Sequence, residues 1–240
     1  MIFLLVPLSW VFGFVALSET DVRPSPRYEG LALERTSGLP VYKEEHEDIL
    51  ESGKRTGLRT IYRDMRNNII AKRIVSYKES ETVPTFQTED FRDGYLEGAG
   101  VRGDSVRLYW RRNFDQAMQE KTILIPGPAV VDAGFNNLIQ QHWDELFGGK
   151  KIQFNFGAPF ALDYYGFRVF KKDEMVFEGR QQIVMQCEID NFIIRLFVKP
   201  IVLTYDAESR RLVAYEGISN INNDKGKSYF VRIQFHPFGP

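Results

Sequence analysis

Cysteine, histidine and net charge are all scarce in this 240-residue chain. It has one cysteine, Cys187, and three histidines, and 31 basic residues nearly balance 32 acidic residues, for a formal net charge of −1. A single cysteine excludes an internal disulfide, a CxxC redox motif and a cysteine-based zinc site. Nucleic-acid binding needs a basic excess that this chain lacks, so we expect no nucleic-acid partner.

Several motifs of nucleotide-dependent and hydrolytic enzymes are also missing. The chain has no GxxxxGK[ST] loop, no HExxH and no GxSxG elbow, and its GxGxxG pattern at residues 98–103 leads into a strand-like segment and not into a helix. A Ser-His-Asp triad stays open, because its members need not be close in the chain. We therefore expect a noncatalytic protein without a cofactor, and the alternative is a hydrolase that uses His142.

The chain begins with an almost wholly apolar run over residues 2–17. Small residues close the run at 16–18, as in a secretory signal, although no basic residue precedes it. We predict a signal peptide over residues 1–18 and export to the periplasm or the medium of a bacterium. The alternative is a retained inner-membrane anchor, although the run is shorter than the roughly 20 apolar residues of a typical span. Residues 19–27, which include Pro24 and Pro26, are predicted to form a flexible leader.

Short strand-like segments fill most of the remaining chain, residues 28–238, which we interpret as one domain. The 19 Phe, 11 Tyr and 3 Trp residues favour pleated sheets. Val106, Leu108 and Trp110 alternate with polar residues, as on a half-buried strand. Turn signals such as 66–68 and 223–226 separate such segments and are typical of hairpins. Consecutive hairpins predict an antiparallel meander, in which neighbours in sequence are neighbours in space.

One segment follows a helical spacing instead. Apolar residues from Val131 to Leu146 recur every three or four positions, and Gly148 follows, so we predict a helix near residues 129–147. A long meander must curl, and the apolar stripe of the helix must be covered. We therefore predict a mostly β fold, an antiparallel meander curled into a half-barrel or open barrel around one central α-helix.

Two groups of motifs resemble known proteins. The hairpin formed by Val202–Asp206 and Arg210–Gly217 resembles hairpins of exported bacterial half-barrel proteins, of which the lipoprotein-carrier type is the best described. Four motifs are similar to uncharacterised exported proteins of Gram-negative bacteria: Ala133-Gly134-Phe135, Gln141-His142-Trp143, Phe154-Asn155-Phe156 and Tyr165-Gly166-Phe167-Arg168-Val169. The carrier resemblance implies a concave sheet that binds an acyl chain.

Aromatic side chains supply the candidate ligand site, because sites for small molecules are usually concave and largely apolar. The candidate residues are Trp110, Phe135, His142, Trp143, Phe154, Phe156, Phe160, Tyr164 and Phe167. The leading hypothesis is noncatalytic binding of a lipid or other hydrophobic molecule between helix and sheet. The alternative is a structural or assembly factor of the cell envelope that binds another protein. The same aromatic residues could instead only pack the core.

Two polar clusters are expected to carry no function. On a strand, Glu44, His46 and Asp48 would share one face and could bind a divalent ion. We favour a solvated edge strand or loop there, whose charges discourage aggregation, and predict no metal. The glycine-rich segment 90–103, which contains Glu97, is interpreted as a mobile loop. We expect Cys187 to be a small buried hydrophobic residue.

Overall fold

The computed structural model describes residues 25–237, with side chains from 28 to 236. The predicted signal peptide and most of the predicted leader lie outside the described residues. Strand β1 begins at Ser25, so residues 25–27 of the predicted leader belong to a strand. Export and anchoring remain predictions.

Fifteen strands of the described chain form one sheet. The first eight are β1 (Ser25–Glu34), β2 (Pro40–Glu51), β3 (Lys54–Arg63), β4 (Ile69–Ser76), β5 (Thr85–Asp90), β6 (Leu96–Arg102), β7 (Ser105–Arg111) and β8 (Gln119–Leu124). The other seven are β9 (Ala129–Val131), β10 (Ile152–Ala158), β11 (Asp163–Phe177), β12 (Arg180–Ile189), β13 (Ile201–Asp206), β14 (Leu212–Asn222) and β15 (Ser228–Pro237).

The helices are short and few. They are α1 (Gly134–Gln141), α2 (Trp143–Phe147) and α3 (Phe192–Arg195), with a 3₁₀ turn at Pro159–Ala161. Within the described residues, none of these helices has the length and apolar character that a membrane crossing requires. The strands therefore form most of the architecture, as predicted.

The sheet is an almost perfect meander. Its strands lie in the order β8-β7-β6-β5-β4-β3-β2-β1-β15-β14-β13-β12-β11-β10-β9, and neighbours are antiparallel except for the parallel pair β9 and β10. The turn predictions are confirmed, with Asn67 at φ 70° and Gly226 at φ 67°. The predicted mostly β fold, an antiparallel meander with a small helix, is confirmed.

The sheet must curl, because its two edge strands are consecutive in sequence. Residues 125–128 alone connect Leu124 at the end of β8 to Ala129 at the start of β9. That link spans at most roughly 18 Å, whereas a flat sheet of fifteen strands would be roughly 65 Å wide. Within the described residues β8 and β9 do not pair with each other, so the sheet stays open although its edges are brought close together.

The core lies on the inner face of this curled sheet. Leu138, Ile139 and Trp143 from the helices pack against a cluster that includes Phe154 and Cys187 from β10 and β12. Cys187 is 2% exposed, which confirms the expected small buried hydrophobic residue. Further clusters fill the inner face of β3–β7 and of β1, β2 and β15.

The helix differs from its prediction at its start and in its continuity. Residues 129–131 form β9, and the helix begins at Gly134 and is interrupted at His142 (φ −107°). Val130 lies opposite Phe156 of β10, and Val130 and Val131 are fully buried. Strand pairing with β10 therefore overrides the helical spacing there, and β-branched valines favour the extended form.

Helix α1 lies across one end of the curled sheet. The amide of Asn137 donates a hydrogen bond to the carbonyl oxygen of Glu81 (2.8 Å), and the amide of Gln140 donates one to that of Arg210 (2.9 Å). These acceptors belong to the β4–β5 and β13–β14 loops. Because β4 and β13 run in the same direction, both loops lie at the same end, which α1 covers.

Replacement of Gly134 by alanine should destabilise this covered end. A Cβ atom there would lie 1.9 Å from the carbonyl oxygen of Thr82, so α1 or the β4–β5 loop would have to shift. We expect Gly134→Ala to lower the free energy of unfolding by about 1–3 kcal/mol in urea titrations. The control is Gly100→Ala, because nothing lies within 4 Å of a Cβ atom at that position. Equal effects of the two substitutions would contradict the close contact.

Candidate functional site

A cavity of about 1660 Å³ lies on the inner face of the curled sheet. Residues from both halves of the meander and from α1 line it. Its volume exceeds the roughly 300–1,000 Å³ of ordinary small-molecule pockets. The cavity can therefore accommodate a molecule larger than most cofactors.

Five of the nine predicted ligand residues line this cavity, and they come from distant parts of the chain. They are Trp110 on β7, Phe135 on α1, Phe156 on β10, Phe160 in the 3₁₀ turn and Phe167 on β11. Phe156 and Phe167 contact each other with ring centroids 5.6 Å apart. The structure thus brings these five aromatic residues to one concave surface.

The other four candidates do not line the cavity. Phe154 and Trp143 are 2% and 4% exposed and pack in the core, where Trp143 lies edge-on against Tyr205 at 5.5 Å. Tyr164 borders a smaller surface pocket. The Nδ1 atom of His142 lies 2.7 Å from a carboxylate oxygen of Glu145 on the same helical segment. The residue proposed as a hydrolytic base is therefore not at the cavity.

A row of directly facing residues crosses the inner face on seven neighbouring strands. From β1 to β7 it runs through Tyr28, His46, Thr60, Arg73, Thr88, Glu97 and Trp110, each opposite the next in the strand register. Five of these residues are polar, and an aromatic residue stands at each end. We call this set the polar row. It is unusual, because buried polar groups require partners.

The acidic segment 44–48 proves to be part of this buried surface. Strand β2 lies between β1 and β3, and Glu44 and His46 are each 6% exposed, so the expected solvated edge or loop is wrong. The Nε2 atom of His46 lies 2.8 Å from Glu44, its Nδ1 atom lies 3.1 Å from the Thr60 hydroxyl, and its ring stacks on Tyr28 at 4.4 Å. The run of charged residues at 44–48 identified a polar segment in the sequence. It did not show that β1 and β3 border this segment on both sides, which is why the segment is buried.

No metal centre forms around this segment. In the region that the structure describes, no three histidine, cysteine, aspartate or glutamate side chains are grouped as ligands for an ion. Asp48, which shares a face with His46 in the sequence pattern, accepts a hydrogen bond from Arg55 at 2.8 Å. The imidazole and carboxylates of this strand are therefore engaged in contacts within the protein.

The glycine-rich segment is also ordered, against the expectation of a mobile loop. Residues 96–102 form β6, where Glu97 is 9% exposed, and Asp90 at the end of β5 is 1% exposed. A Cβ atom on Gly98 would lie 2.4 Å from the carbonyl oxygen of Phe86, so glycine allows β5 and β6 to pair closely. Glycine serves strand packing here rather than mobility.

An ion pair connects the polar row to the other half of the chain. The Oδ2 atom of Asp132 lies 3.0 Å from an Nη atom of Arg73, and both side chains are 11% exposed. Asp132 follows β9 with φ 44°, a left-handed conformation that aspartate tolerates. Burial alone would lower the pKa of Arg73, but Asp132 and neighbouring groups raise it overall, so the guanidinium stays charged.

Three buried polar atoms at the centre of the row have no hydrogen-bond partner among the described residues. They are Arg73 Nε, Thr88 Oγ1 and Asp132 Oδ2. The Asp132–Arg73 pair is close, but its geometry does not make a hydrogen bond at Oδ2. Each buried group of this kind costs about 1–3 kcal/mol when it stays unpaired. Unpaired atoms of both donor and acceptor type mark the centre of the row as a place for a polar ligand group.

Glu97 is a buried carboxyl group of the row whose pKa is shifted toward neutrality. Burial and, second to it, the charge of Asp132 raise the pKa of Glu97, whereas the hydrogen bond from the Tyr95 hydroxyl (2.9 Å) and the charge of Arg73 lower it, and the resulting pKa is about 7. The carboxyl group therefore gains or loses its charge near physiological pH. This property is common at binding and catalytic sites.

The sequence reasoning missed Arg73, Thr88, Glu97 and Asp132. A signal existed for Arg73, because Ala71 and Val75 stand two positions away on either side and share its face of β4. A charged residue in the middle of an apolar face is an informative exception. Asp132 carried no such signal, since only the fold brings it to β4.

Replacement of Glu97 by glutamine should change how stability depends on pH. The pKa of Glu97 is about 7 in the folded protein, whereas its ordinary value is 4.5. The folded state therefore binds the proton more tightly than the unfolded state, and the stability that this contributes is fully present below about pH 4.5 and is lost as the pH rises through 7. The pKa difference corresponds to a loss of about 3 kcal/mol in the free energy of unfolding. Glu97→Gln removes the titration, so the variant should gain stability relative to the wild type between about pH 5 and pH 8 in urea unfolding. Glu208→Gln, in an exposed turn, is the control, and equal pH profiles for wild type and Glu97→Gln would contradict the raised pKa.

Comparison with known proteins supports the fold alone. No family model matches the chain, and no curated protein does. A solved structure, described as a beta-barrel-like protein of domain of unknown function DUF1849 from Brucella abortus, matches with a TM-score of 0.54 and 8% sequence identity, over 90% of this chain and 100% of that one. The chain thus has the beta-barrel-like fold of an uncharacterised bacterial protein.

Proposed function

We propose that this chain is a noncatalytic binding protein that holds a hydrophobic molecule, such as a lipid or an acyl chain, in its cavity. The observation that carries the proposal is the cavity of about 1660 Å³ on the inner face of the curled sheet. Export to the bacterial envelope, predicted from the N-terminal segment, is part of the same proposal. No step of this function requires a cofactor.

The apolar walls of the cavity favour a hydrophobic occupant. Phe156 and Phe167 are half-buried, and Ile201, Leu203 and Tyr215 continue the wall on β13 and β14. Covering apolar surface is favourable by roughly 25 cal/mol per Å². A chain-like molecule along this wall would remove the remaining exposed aromatic surface from water.

The end of the curled sheet opposite α1 has an apolar rim. The β12–β13 connection, which contains α3, lies at the end of β13 opposite the loop that α1 contacts. Ile194 and Val198 from this connection line the cavity. Phe192 and Phe197 on the same connection are 67% and 83% exposed. Such a rim suits the entry of an apolar molecule, since exposed apolar patches usually mark contact sites.

The exposed rim also favours a second candidate function, an assembly factor of the cell envelope. Ile193 and Leu196 are 67% and 68% exposed and extend the surface of Phe192 and Phe197. Monomeric proteins rarely expose so many adjacent large apolar side chains. In this proposal another protein covers the rim, and the cavity is secondary.

Substitution in the cavity wall should weaken binding of an apolar probe. We expect saturable binding of the neutral fluorophore N-phenyl-1-naphthylamine, with an affinity about ten-fold lower or more in Phe156→Asp, because a buried aromatic contact is worth about 1.5–3 kcal/mol. Phe160→Asp is a second test, since Phe160 lines the cavity but is 61% exposed and its replacement should leave the fold intact. Fluorescence titration and circular dichroism measure binding and folding separately.

The matched control is Phe114→Asp, since Phe114 is 63% exposed and lies outside the cavity, beside Arg111. It should bind the probe as the wild type does. If the wild type shows no saturable binding, or if the three variants lose it equally while folded, the cavity is not the binding site.

Substitution in the rim separates the two candidate functions. Phe197→Asp should abolish co-purification of a protein partner if the rim is an assembly surface, while the probe still binds in the cavity. Affinity purification from envelope extract, with Phe114→Asp as control, measures the first property, and titration measures the second. A partner retained by Phe197→Asp would contradict the assembly role of the rim.

A further inference from the structure

The carboxyl groups in and beside the polar row outnumber the basic groups that contact them. Glu44, Glu97 and Asp132 face the cavity together with Arg73 and His46. Asp132 is paired with Arg73, and Glu44 contacts the imidazole of His46. The remaining carboxyl group, that of Glu97, forms no ion pair with an arginine or lysine in the described part of the chain, and its contact is the Tyr95 hydroxyl.

Two of the three unpartnered polar atoms near Glu97 can accept a hydrogen bond, and the third, Arg73 Nε, is a donor. The hydroxyl oxygen of Thr88 has no partner among the described residues, but Thr88 is fully buried and does not line the cavity. Asp132 Oδ2 accepts no hydrogen bond from any described residue, lies 3.0 Å from Arg73, and belongs to a side chain that lines the cavity. An ammonium group has three N–H donors and no acceptor, so it matches the carboxyl groups of Glu97 and Asp132 at the cavity surface.

An aromatic residue completes this end of the row. Trp110 lies directly opposite Glu97 in the register of β6 and β7 and lines the cavity. Indole rings attract cations over their faces, by about 0.5–2 kcal/mol. The guanidinium groups of this region do not oppose the arrangement strongly, because Arg73 is paired with Asp132, Arg55 with Asp48, and Arg112 is exposed.

We propose that the polar row binds the primary ammonium group of an amphipathic ligand, whose class is a long-chain amine. The inference rests on the proposed function, since the apolar tail occupies the cavity beside the row. Glu97 supplies the counter-charge, Asp132 accepts a hydrogen bond, and Trp110 covers the cation. A long-chain carboxylate is disfavoured at the same place, because Glu97 and Glu44 repel it.

Three probes with the same twelve-carbon tail test this assignment. Dodecylamine, dodecan-1-ol and dodecanoate compete with N-phenyl-1-naphthylamine at about pH 8, where the amine is protonated and Glu97 is ionised, below the concentrations at which micelles form. We expect dodecylamine to displace the fluorophore at a concentration about ten-fold lower than the alcohol, and dodecanoate to be the weakest competitor. In Glu97→Gln the amine should compete only as well as the alcohol, with each competitor measured against the fluorophore affinity of the same variant. Glu208→Gln, in an exposed turn, should keep the preference for the amine.

The outcomes separate the two proposals. If none of the three probes displaces the fluorophore, the cavity does not bind apolar chains, and the proposed function fails together with the inference. If all three compete equally, the apolar site stands and the ammonium site is overturned. A preference for the amine that persists in folded Glu97→Gln would also overturn it, because the counter-charge would then lie elsewhere.

Discussion

The short link between Leu124 and Ala129 is the constraint on which the rest of the structure depends. It joins the two edge strands of a fifteen-stranded sheet, so the sheet has to curl until its edges lie close together. Curling gives the sheet an inner face, and the inner face gives the molecule its core and its cavity. The edges stay short or charged, with three residues in β9 and an exposed, polar β8, which limits pairing with other chains.

The polar row is the feature that a purely structural sheet would lack. An inner face built only for stability would carry apolar residues at positions 73, 88 and 97, because burying a charged group usually costs more free energy than its interactions return. Here three polar atoms have no hydrogen-bond partner among the described residues, and the pKa of one carboxyl group is shifted to about 7. Buried polar groups without partners, which lower stability, tend to occur at functional sites. The row therefore supports the proposal that the inner face binds a ligand.

The two ends of the curled sheet are built differently. Helix α1 covers one end through hydrogen bonds to Glu81 and Arg210 and through the close contact at Gly134. The other end carries the apolar β12–β13 connection, with Phe197 almost fully exposed. This difference between the two ends fits the proposal that an apolar molecule enters the cavity from the end opposite α1.

The sequence by itself determined the local features of this protein. Period-two alternation and turn residues predicted the antiparallel meander, and helical spacing predicted the segment that becomes α1 and α2, because these patterns depend on neighbours within a few residues. Alternation also identified aromatic residues on inner faces, but it could not separate Phe156, at the cavity, from Phe154, in the core. Both share one face of β10.

Only the tertiary structure decided the position of β2 inside the sheet, the strand at 129–131 and the meeting of Asp132 with Arg73. Each depends on which distant segments pair. That pairing is set by the curling of the whole sheet and not by the conformational preferences of neighbouring residues. Glu97 illustrates the same reason. Its neighbours in sequence are glycine-rich and suggest a loop, whereas the pairing of β6 with β5 and β7 buries it and raises the pKa of its carboxyl group.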